Sequence, residues 1–271
     1  MSDNRPLPDI DRLSTLAALV LLIFGLARII ELPSLQYELG VFNILIPISI
    51  NTRNIMLVLA ALLSVVGADW LVQSHPQAPS GRRAIERWIL PGLTALGIGS
   101  LLIRLSQGEA VWLGLLFTTL LLLAVFFAEY LTVDPTDPRR NLASAGLELL
   151  AYLLIFGTAF SFRVVDLRLV FLVPTATVAS GAVAWRLFRL HFPDRRSLAH
   201  AAVAGWGFCQ LAIGLHYWPM QPVRGSLFLL LFFYLEISFF NNVLEESHSN
   251  RWLTELTVVA TIGSTAILLF T

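Results

Sequence analysis

Residues 225–244 read GSLFLLLFFYLEISFFNNVL, an apolar run in which one carboxylate, Glu236, stands among phenylalanines and leucines. A helix rises 1.5 Å per residue, so about 20 apolar residues cross the hydrocarbon core of a bilayer. The run therefore predicts a transmembrane helix. It also raises the question of why a carboxylate lies inside such a helix, because an ionised and unpaired carboxylate is costly at that depth.

The composition places the whole chain in the same class. Of its 271 residues, 56% are hydrophobic and 13% are charged, whereas soluble domains carry about 25% charged residues. This leaves too little polar surface for a water-soluble globule, so we expect an integral membrane protein whose main partner is the lipid bilayer. The net charge is zero, which gives no basic surface for nucleic acid.

The apolar runs predict one polytopic membrane domain over residues 1–271, an all-α bundle of about nine transmembrane helices. Turns rich in Pro, Asp and Arg separate several of the runs and cannot continue a helix. The first run is expected to be retained as a span, since it is too long for the core of a signal peptide. The predicted spans are 13–32, 54–73, 87–106, 110–132, 142–162, 167–190, 199–218, 225–244 and 252–270.

Arginine placement predicts the orientation. With the N-terminus inside, twelve of the 18 arginines fall in inner segments and the other six in outer ones. This bias favours a cytoplasmic N-terminus and an outer C-terminus in the inner membrane of a bacterium.

One segment has a different period. Residues 41–51, VFNILIPISIN, alternate apolar and less apolar side chains, which predicts an extended outer segment. Pro47 restricts it to an edge or unpaired position. It is either a lid on the outer ends of the helices or an interfacial element that lines an outer cavity.

Glu236 is the most conspicuous polar group within a predicted span. At 100° per residue, Tyr234 and Ser238 share a polar face with three further residues, and Glu236 points the other way. Glu236 is therefore either neutral or bonded to another helix, and Gln210 in the seventh span is the best candidate partner. We predict a Gln210–Glu236 hydrogen bond, with either a structural role or a role in proton coupling or ligand binding.

A second group of acids lies toward the predicted inner face, within about two turns of the span ends. These side chains either pair with loop arginines or surround an inner vestibule that binds a cation, a proton or a headgroup amine. Ser144, Glu148 and Tyr152 follow one another at helical spacing and form a polar line. The possible inner-face cluster comprises Asp69, Glu129, Glu148, Tyr152 and Glu255, with Glu245 as a further acid on this side.

The sequence argues against several cofactors. Without a lysine, no Schiff base with retinal or pyridoxal phosphate can form. No histidine is predicted near a bilayer midplane, which argues against a buried haem held by two histidines. The single cysteine, Cys209, permits no intramolecular disulfide. We predict no cofactor, no metal site and no catalytic residue, because familiar catalytic motifs are absent from the sequence.

The stretches GADWLVQSHP (67–76) and RWILPGLTALGIG (87–99) resemble a bacterial family of uncharacterised multi-pass membrane proteins. The resemblance covers the second and third spans and the outer extended segment. It implies a helical membrane fold and transfers no catalytic residue.

Three functions remain in view. The first is a non-enzymatic scaffold, assembly or accessory subunit of a bacterial membrane complex, with other membrane subunits as partners. The second is a proton-coupled transporter or channel that uses Glu236. The third is a lipid-modifying membrane enzyme whose site is the inner acidic cluster.

Overall fold

A computed structural model describes residues 8–30, 35–41, 44–78, 85–104, 108–165, 167–192, 197–245 and 251–269. For residues 28–29, 35–41, 44–50 and 103–104 it describes the backbone alone. Several arginines that support the predicted orientation lie outside the described residues: Arg5, Arg82, Arg83, Arg195 and Arg196.

The chain divides into two compact units, Met1–Ala143 and Ser144–Thr271. The first unit contains four long helices, one 3₁₀ turn over Ile85–Trp88 and two strands. In chain order its elements are α1 (Ile10–Ile29), β1 (Leu35–Val41), β2 (Ile44–Ile50), α2 (Thr52–Gln73), α3 (Ile89–Arg104) and α4 (Glu109–Leu131).

Side chains at the helix starts explain where α1 and α2 begin. The Asp9 carboxylate accepts a hydrogen bond from the Asp11 amide, and the Asn51 side chain accepts one from the Asn54 amide at 2.8 Å. Each therefore satisfies one of the free amides of a first helical turn. Further along, Gly67 in α2 makes room for Leu16 of α1, and a Cβ there would lie 3.3 Å from the Leu16 Cγ.

The second unit contains the remaining helices: α5 (Arg140–Val164, of which residues 144–164 belong to this unit), α6 (Leu169–His191), α7 (Leu198–His216), α8 (Pro222–Leu244) and α9 (Arg251–Leu269). The helices α6 and α7 make a close backbone contact at two glycines, Gly181 and Gly205. A Cβ on Gly205 would lie 2.7 Å from the Thr177 carbonyl oxygen and 2.9 Å from the Gly181 Cα. The two backbones touch here, as small residues allow in membrane helices.

Within the described residues, eight helices are long and apolar enough to cross a membrane. They correspond to eight of the nine predicted spans, and α3 lies at the remaining one. The helix α3 begins at Ile89, two residues later than the predicted span 87–106, because the 3₁₀ turn that ends at Trp88 precedes it. Residues 105–106 of that span lie outside the described part of the chain.

The extended segment predicted over 41–51 contains β2, but β2 is not unpaired. It pairs with β1 in an antiparallel register that places Pro47 opposite Glu38. The sequence pattern showed only one of the two strands, since alternation is clear in 41–51 and weak before it. Among the described residues the sheet has two strands, so each is an edge strand that tolerates a proline. The alternation predicted for this segment involves side chains that lie outside the described part of the structure.

Candidate functional site

Glu236 lies past the middle of α8, and its carboxyl packs against the backbone of Gly207 in α7. A Cβ at position 207 would lie 3.1 Å from the Glu236 carboxyl carbon, so only a glycine leaves this recess open. The Oε2 atom of Glu236 is buried and has no hydrogen-bond partner among the described residues. The carboxyl is thus held between two helices without being paired.

The predicted Gln210–Glu236 hydrogen bond is wrong. The two helices do pack at this level, but their contact is made at Gly207, and the Gln210 side chain is exposed on the surface of α7. At 100° per residue, Gly207 and Gln210 lie on the same side of α7, so helix spacing alone does not distinguish them as neighbours of Glu236. The small residue turns toward the neighbouring helix because it permits close approach, and the amide side chain is left on the outer surface.

A groove of about 460 Å³ lies beside this carboxyl, between α8 and α9, and is open along one side. Its walls are almost wholly apolar. The hydroxyl of Thr257 lies 3.0 Å from the Leu253 carbonyl of its own helix, which satisfies the hydroxyl hydrogen inside α9. The lining residues are Leu235, Glu236, Phe239, Phe240, Leu253, Leu256, Thr257 and Ala260.

The other face of α8 carries the predicted polar stripe. The Tyr234 ring lies 5.8 Å from the ring of Tyr152 in α5, and the Asn242 amide donates to the Ser238 carbonyl at 2.8 Å. Glu245 is exposed at the end of the helix. The stripe therefore faces α5 through Tyr234, whereas Glu236 faces α7 and the groove.

Glu148 and Tyr152 form the predicted polar line along α5. The Oε2 atom of Glu148 lies 4.0 Å from the Nε2 atom of His191 in α6. Tyr152 continues the line inward, with its ring 6.2 Å from the Phe233 ring. Glu255, the remaining acid predicted for this group in the second unit, is exposed on α9.

In the first unit, Asp69 is engaged from two sides. Its Oδ1 atom accepts a hydrogen bond from the indole N–H of Trp88 at 3.0 Å, and its Oδ2 atom accepts one from the Gln73 amide at 2.5 Å. Trp88 ends the 3₁₀ turn before α3, so this bond ties α3 to α2. The indole of Trp88 thus holds a carboxylate of the neighbouring helix.

Glu129 lies near the end of α4, and Arg87 reaches this end of the helix from the 3₁₀ turn that precedes α3. Glu129 is fully buried, with 0% of its surface exposed. The Arg87 guanidinium donates to the backbone carbonyls of Glu129 at 3.1 Å and Thr132 at 3.4 Å. A cation at these carbonyls satisfies acceptors that the last turn of a helix leaves free.

His75 follows α2 and packs edge-on against Tyr130, with ring centroids 4.7 Å apart. Its Nδ1 atom accepts a hydrogen bond from the Gln77 amide at 3.1 Å, and the Gln77 side chain donates to Asp134 at 3.0 Å. Burial lowers the pKa of His75, opposed by the nearby carboxylate of Asp134. Hydrogen bonds from Thr136 lower the pKa of Asp134 itself.

The motif DPTDPRR (134–140) is one of the turns rich in Pro, Asp and Arg, and it contains an internal ion pair. The Arg139 Nη2 atom lies 2.7 Å from the Asp137 Oδ2 atom. The Asp137 carboxylate also accepts from the Arg139 amide at 2.8 Å. Asp134 and Asp137 therefore stabilise the turn between α4 and α5.

Two contacts in the second unit were not predicted from the sequence. The first is the contact of Gly207 with Glu236, because nothing in the sequence pattern assigns this glycine to Glu236 in particular. The Arg163 guanidinium at the end of α5 lies over Gly225 in the first turn of α8, and its Nη1 atom donates to the Trp218 carbonyl at 3.2 Å. Its Nη2 atom is buried without a hydrogen-bond partner in the described part of the chain. Small residues at contact positions were the one available signal for both.

The sequence-predicted site residues thus separate into engaged and unengaged groups. Asp69 and Glu148 have polar neighbours in their own units, and Glu236 has none within the described residues. No group of three or more His, Cys, Asp or Glu side chains is arranged to hold a metal in the part of the chain that is described.

These features define a helical protein with apolar helices of membrane-spanning length. A family model described as a protein of unknown function, DUF5656, matches residues 30–270, and the chain belongs to this family. The resemblance drawn from residues 67–76 and 87–99 predicted an uncharacterised family, and the match extends over nearly the whole chain. No curated protein and no solved structure matches it.

Proposed function

We propose that this chain is a non-enzymatic integral membrane protein, an accessory or scaffold subunit of a larger complex in a bacterial inner membrane. The observation that carries the proposal is the engagement of two of the predicted inner-face acids, Asp69 and Glu148, by their own neighbours. Asp69 is bonded to Trp88 and Gln73, and Glu148 lies beside His191. Acids that already hold structural partners are poorly placed to bind a substrate or transfer a proton.

The surface of α9 supports the same reading. Its side chains are exposed along nearly the whole helix, with Ile267 as its one buried residue among those described. Large apolar residues such as Val258 and Ile262 face outward, 52% and 65% exposed. Lipid or a neighbouring subunit would cover such a surface, since contiguous apolar area is not left in water.

Native purification tests this proposal. The tagged chain is extracted in a mild detergent, and co-purifying proteins are identified by mass spectrometry, with quantities compared against a tagged membrane protein of similar size. We expect at least one membrane protein in stoichiometric amount. A monodisperse chain with no enriched partner, in two mild detergents and after crosslinking in membranes, would contradict the scaffold role.

The proposed orientation has a separate test. Cys209 is replaced by Ala, and single cysteines are placed at Asp9 and at Ser74, both of which the arginine bias assigns to the cytoplasm. A membrane-impermeant thiol reagent should label them in inverted membrane vesicles but not in whole cells with an intact inner membrane. Labelling of either position in whole cells would contradict the proposed orientation, because it would place that position outside the inner membrane.

A proton-coupled transporter is the second candidate, and the unpaired Glu236 carboxyl beside an open groove favours it. Proteoliposomes containing a pH-sensitive dye would show proton movement in wild type that is lost in Glu236→Gln. Glu255→Gln is the matched control because Glu255 is an exposed acid on the adjacent helix. Equal proton flux in all three chains would exclude this role for Glu236.

A further inference from the structure

Three arginines and one histidine lie at the end of the second unit where α5 and α7 finish and where α6 and α8 begin. Arg163 is in the last turn of α5, and His216 is the last residue of α7. Arg168 immediately precedes α6, and Arg224 lies in the first turn of α8. These four residues define the arginine end of the unit.

Contacts of Arg163 join the end of α5 to the start of α8. The Arg163 guanidinium lies over Gly225, which directly follows Arg224 in the chain. Its Nη1 atom donates to the Trp218 carbonyl at 3.2 Å, in the connection between α7 and α8. Two of the three arginines therefore lie beside the same turn of α8.

A small cavity connects the other two members of the arginine end to Arg163. Arg163 and His216 line this cavity together with Leu172 of α6. The Leu172 amide donates to the Arg168 carbonyl at 3.0 Å, so Arg168 lies one helical turn from the cavity. The positive groups of four helix ends are thus concentrated in one part of the unit.

The charge of the arginine end is not balanced by acids. Asp166, the one acid of the sequence between Arg163 and Arg168, lies outside the described residues. Three arginines therefore face at most this one acid, and the arginine end carries a net positive charge. Within the described residues of the second unit, the acids lie in the middle or toward the opposite end: Glu148, Glu236, Glu245 and Glu255.

Two of the arginines are also placed against the preference of their own helices. The start of a helix carries a partial positive charge, which favours an anion and disfavours a cation. Arg168 stands at the start of α6 and Arg224 at the start of α8. The stability of these helices therefore does not account for the two arginines, whereas an anion bound from outside would offset both unfavourable terms.

Two exposed aromatic side chains indicate where this anion comes from. Tyr217 is 73% exposed and Trp218 is 62% exposed, directly after α7. Tyrosine and tryptophan at the ends of membrane-spanning helices lie at the level of the lipid headgroups. The anion at that level is the phosphate of a phospholipid, and the planar guanidinium of arginine matches phosphate geometry.

We propose that the arginine end binds the headgroup of an anionic phospholipid, with the exposed Arg168 against the phosphate and Tyr217 and Trp218 against the glycerol and upper acyl chains. Arg163 acts through its charge rather than by contact, because its Nη2 atom is buried and a buried charge is weakly screened. A zwitterionic lipid binds more weakly, since its own cation is repelled. The site is independent of the accessory role, because a lipid binds with or without a partner subunit.

Lipid quenching of Trp218 tests the proposal on the purified full chain in neutral detergent micelles. Phosphatidylglycerol and phosphatidylcholine, each with brominated acyl chains, are titrated separately, since bromine quenches tryptophan fluorescence at contact. Trp218→Phe is titrated in parallel, and the difference isolates Trp218 from the other six tryptophans. We expect saturable quenching of Trp218 by phosphatidylglycerol at several-fold lower concentration than by phosphatidylcholine.

Substitutions of Arg168 test which group binds the headgroup. Arg168→Gln should weaken the binding of phosphatidylglycerol about fivefold, the effect of one arginine at an anionic lipid surface. Arg168→Lys keeps the charge and should retain most of the binding. Arg53→Gln is the matched control, because Arg53 is an exposed arginine in the first turn of α2 in the other unit. Circular dichroism checks that each variant keeps its helices.

Three results would overturn the proposal. The first is equal quenching of Trp218 by the two lipids. The second is an equal loss of binding in Arg168→Gln and Arg53→Gln, and the third is a loss in Arg168→Lys as large as that in Arg168→Gln.

An acidic segment of a partner protein is the competing occupant of the arginine end. If Trp218 is quenched by phosphatidylglycerol only after a co-purifying membrane protein has been removed, that protein covers the arginine end and the lipid site is overturned. Absence of any co-purifying protein would instead count against the accessory role and leave the lipid site standing.

Discussion

Polar groups near the end of α4 have hydrogen-bond partners, whereas the Glu236 carboxyl beside the groove at α8 has an oxygen without one among the described residues. In the first region, Asp69 accepts from Trp88 and Gln73, and Arg87 binds the carbonyls at the end of α4. In the second, Glu236 lies in a recess with an oxygen that no described residue pairs. A carboxylate in an apolar run therefore does not by itself indicate a structural or a functional role. Its role depends on whether the neighbouring helix provides a hydrogen-bond partner or only leaves space.

The largest effect is expected at Arg87. Arg87→Ala should lower the free energy of unfolding by about 3 kcal/mol, because hydrogen bonds to a charged group contribute about 1.5–3 kcal/mol each and the variant loses the two that the guanidinium donates to the carbonyls of Glu129 and Thr132. Denaturation in detergent micelles, followed by circular dichroism, measures this change. Arg87→Lys should restore part of the loss through a single bond. A loss below the error of the measurement would mean that water replaces the guanidinium at these carbonyls.

Trp88 gives the next largest effect. Trp88→Phe keeps the ring but removes the N–H that binds Asp69, and it should cost about 1–2 kcal/mol because a half-buried carboxylate loses one of its two donors. The control is Trp112→Phe in α4, where the indole is 74% exposed. Equal stability of both variants would show that the Trp88–Asp69 bond does not stabilise the first unit.

Glu236 should respond in the opposite direction. Glu236→Leu removes a polar group without a partner and should raise the free energy of unfolding by about 1 kcal/mol, since an unsatisfied buried group is a cost. Glu255→Leu, at an exposed acid of α9, is the control and should change little. If Glu236→Leu proves destabilising, the carboxyl has a partner and the contrast between the two regions fails.

A smaller effect is expected from pH at His75. Burial lowers its pKa, so the folded chain binds this proton less readily than the unfolded chain. The contribution of neutral His75 to the free energy of unfolding is therefore fully present above the pKa of about 6.5 that histidine has in the unfolded chain. Stability declines as pH falls below that value toward the lowered pKa. Asp134 and Asp137 favour the proton and Arg87 disfavours it, which makes the slope shallow.

His75→Asn serves as the test, because an amide oxygen can still accept the Gln77 N–H but does not titrate. Unfolding temperatures of both chains are compared at several pH values around 6, and the difference between them should shrink or reverse at the acidic end. Parallel curves would rule out His75 as the titrating group.

The smallest change in stability is expected at Gly207. In Gly207→Ala the new methyl meets the far end of a flexible side chain, so the Glu236 carboxyl swings toward the groove instead of separating α7 from α8. The unfolding free energy should change by less than about 1 kcal/mol, while carbodiimide labelling of Glu236 rises. Gly214→Ala, at a site with open space around it, should leave both quantities unchanged.

Most of the helical fold was predictable from the sequence because long apolar runs separated by Pro, Asp and Arg turns permit little else. The later start of α3 was not predictable, since the sequence pattern does not distinguish a 3₁₀ turn at a helix end from a helical turn. The strand β1 was missed because a pairing partner without clear alternation leaves no periodic signal.

Within the candidate site, the sequence indicated that Glu236 is out of place but not what lies beside it. Helical periodicity reports the direction of a side chain around its own helix. It does not report which residue of the neighbouring helix lies opposite. The sequence therefore could not decide whether Gly207 or Gln210 of α7 contacts Glu236. The bond from Trp88 to Asp69 was hidden for the same reason, because it joins residues of two different elements.

The recess over Gly207 also has a consequence for the order in which the chain is made. α7 precedes α8 along the chain and is synthesised first. When α8 arrives with its carboxyl, α7 can already provide the cleft that receives it, and α9 follows to form the second wall of the groove. The carboxyl of Glu236, which is costly to place in a bilayer, can therefore pack against α7 as soon as α8 has been synthesised.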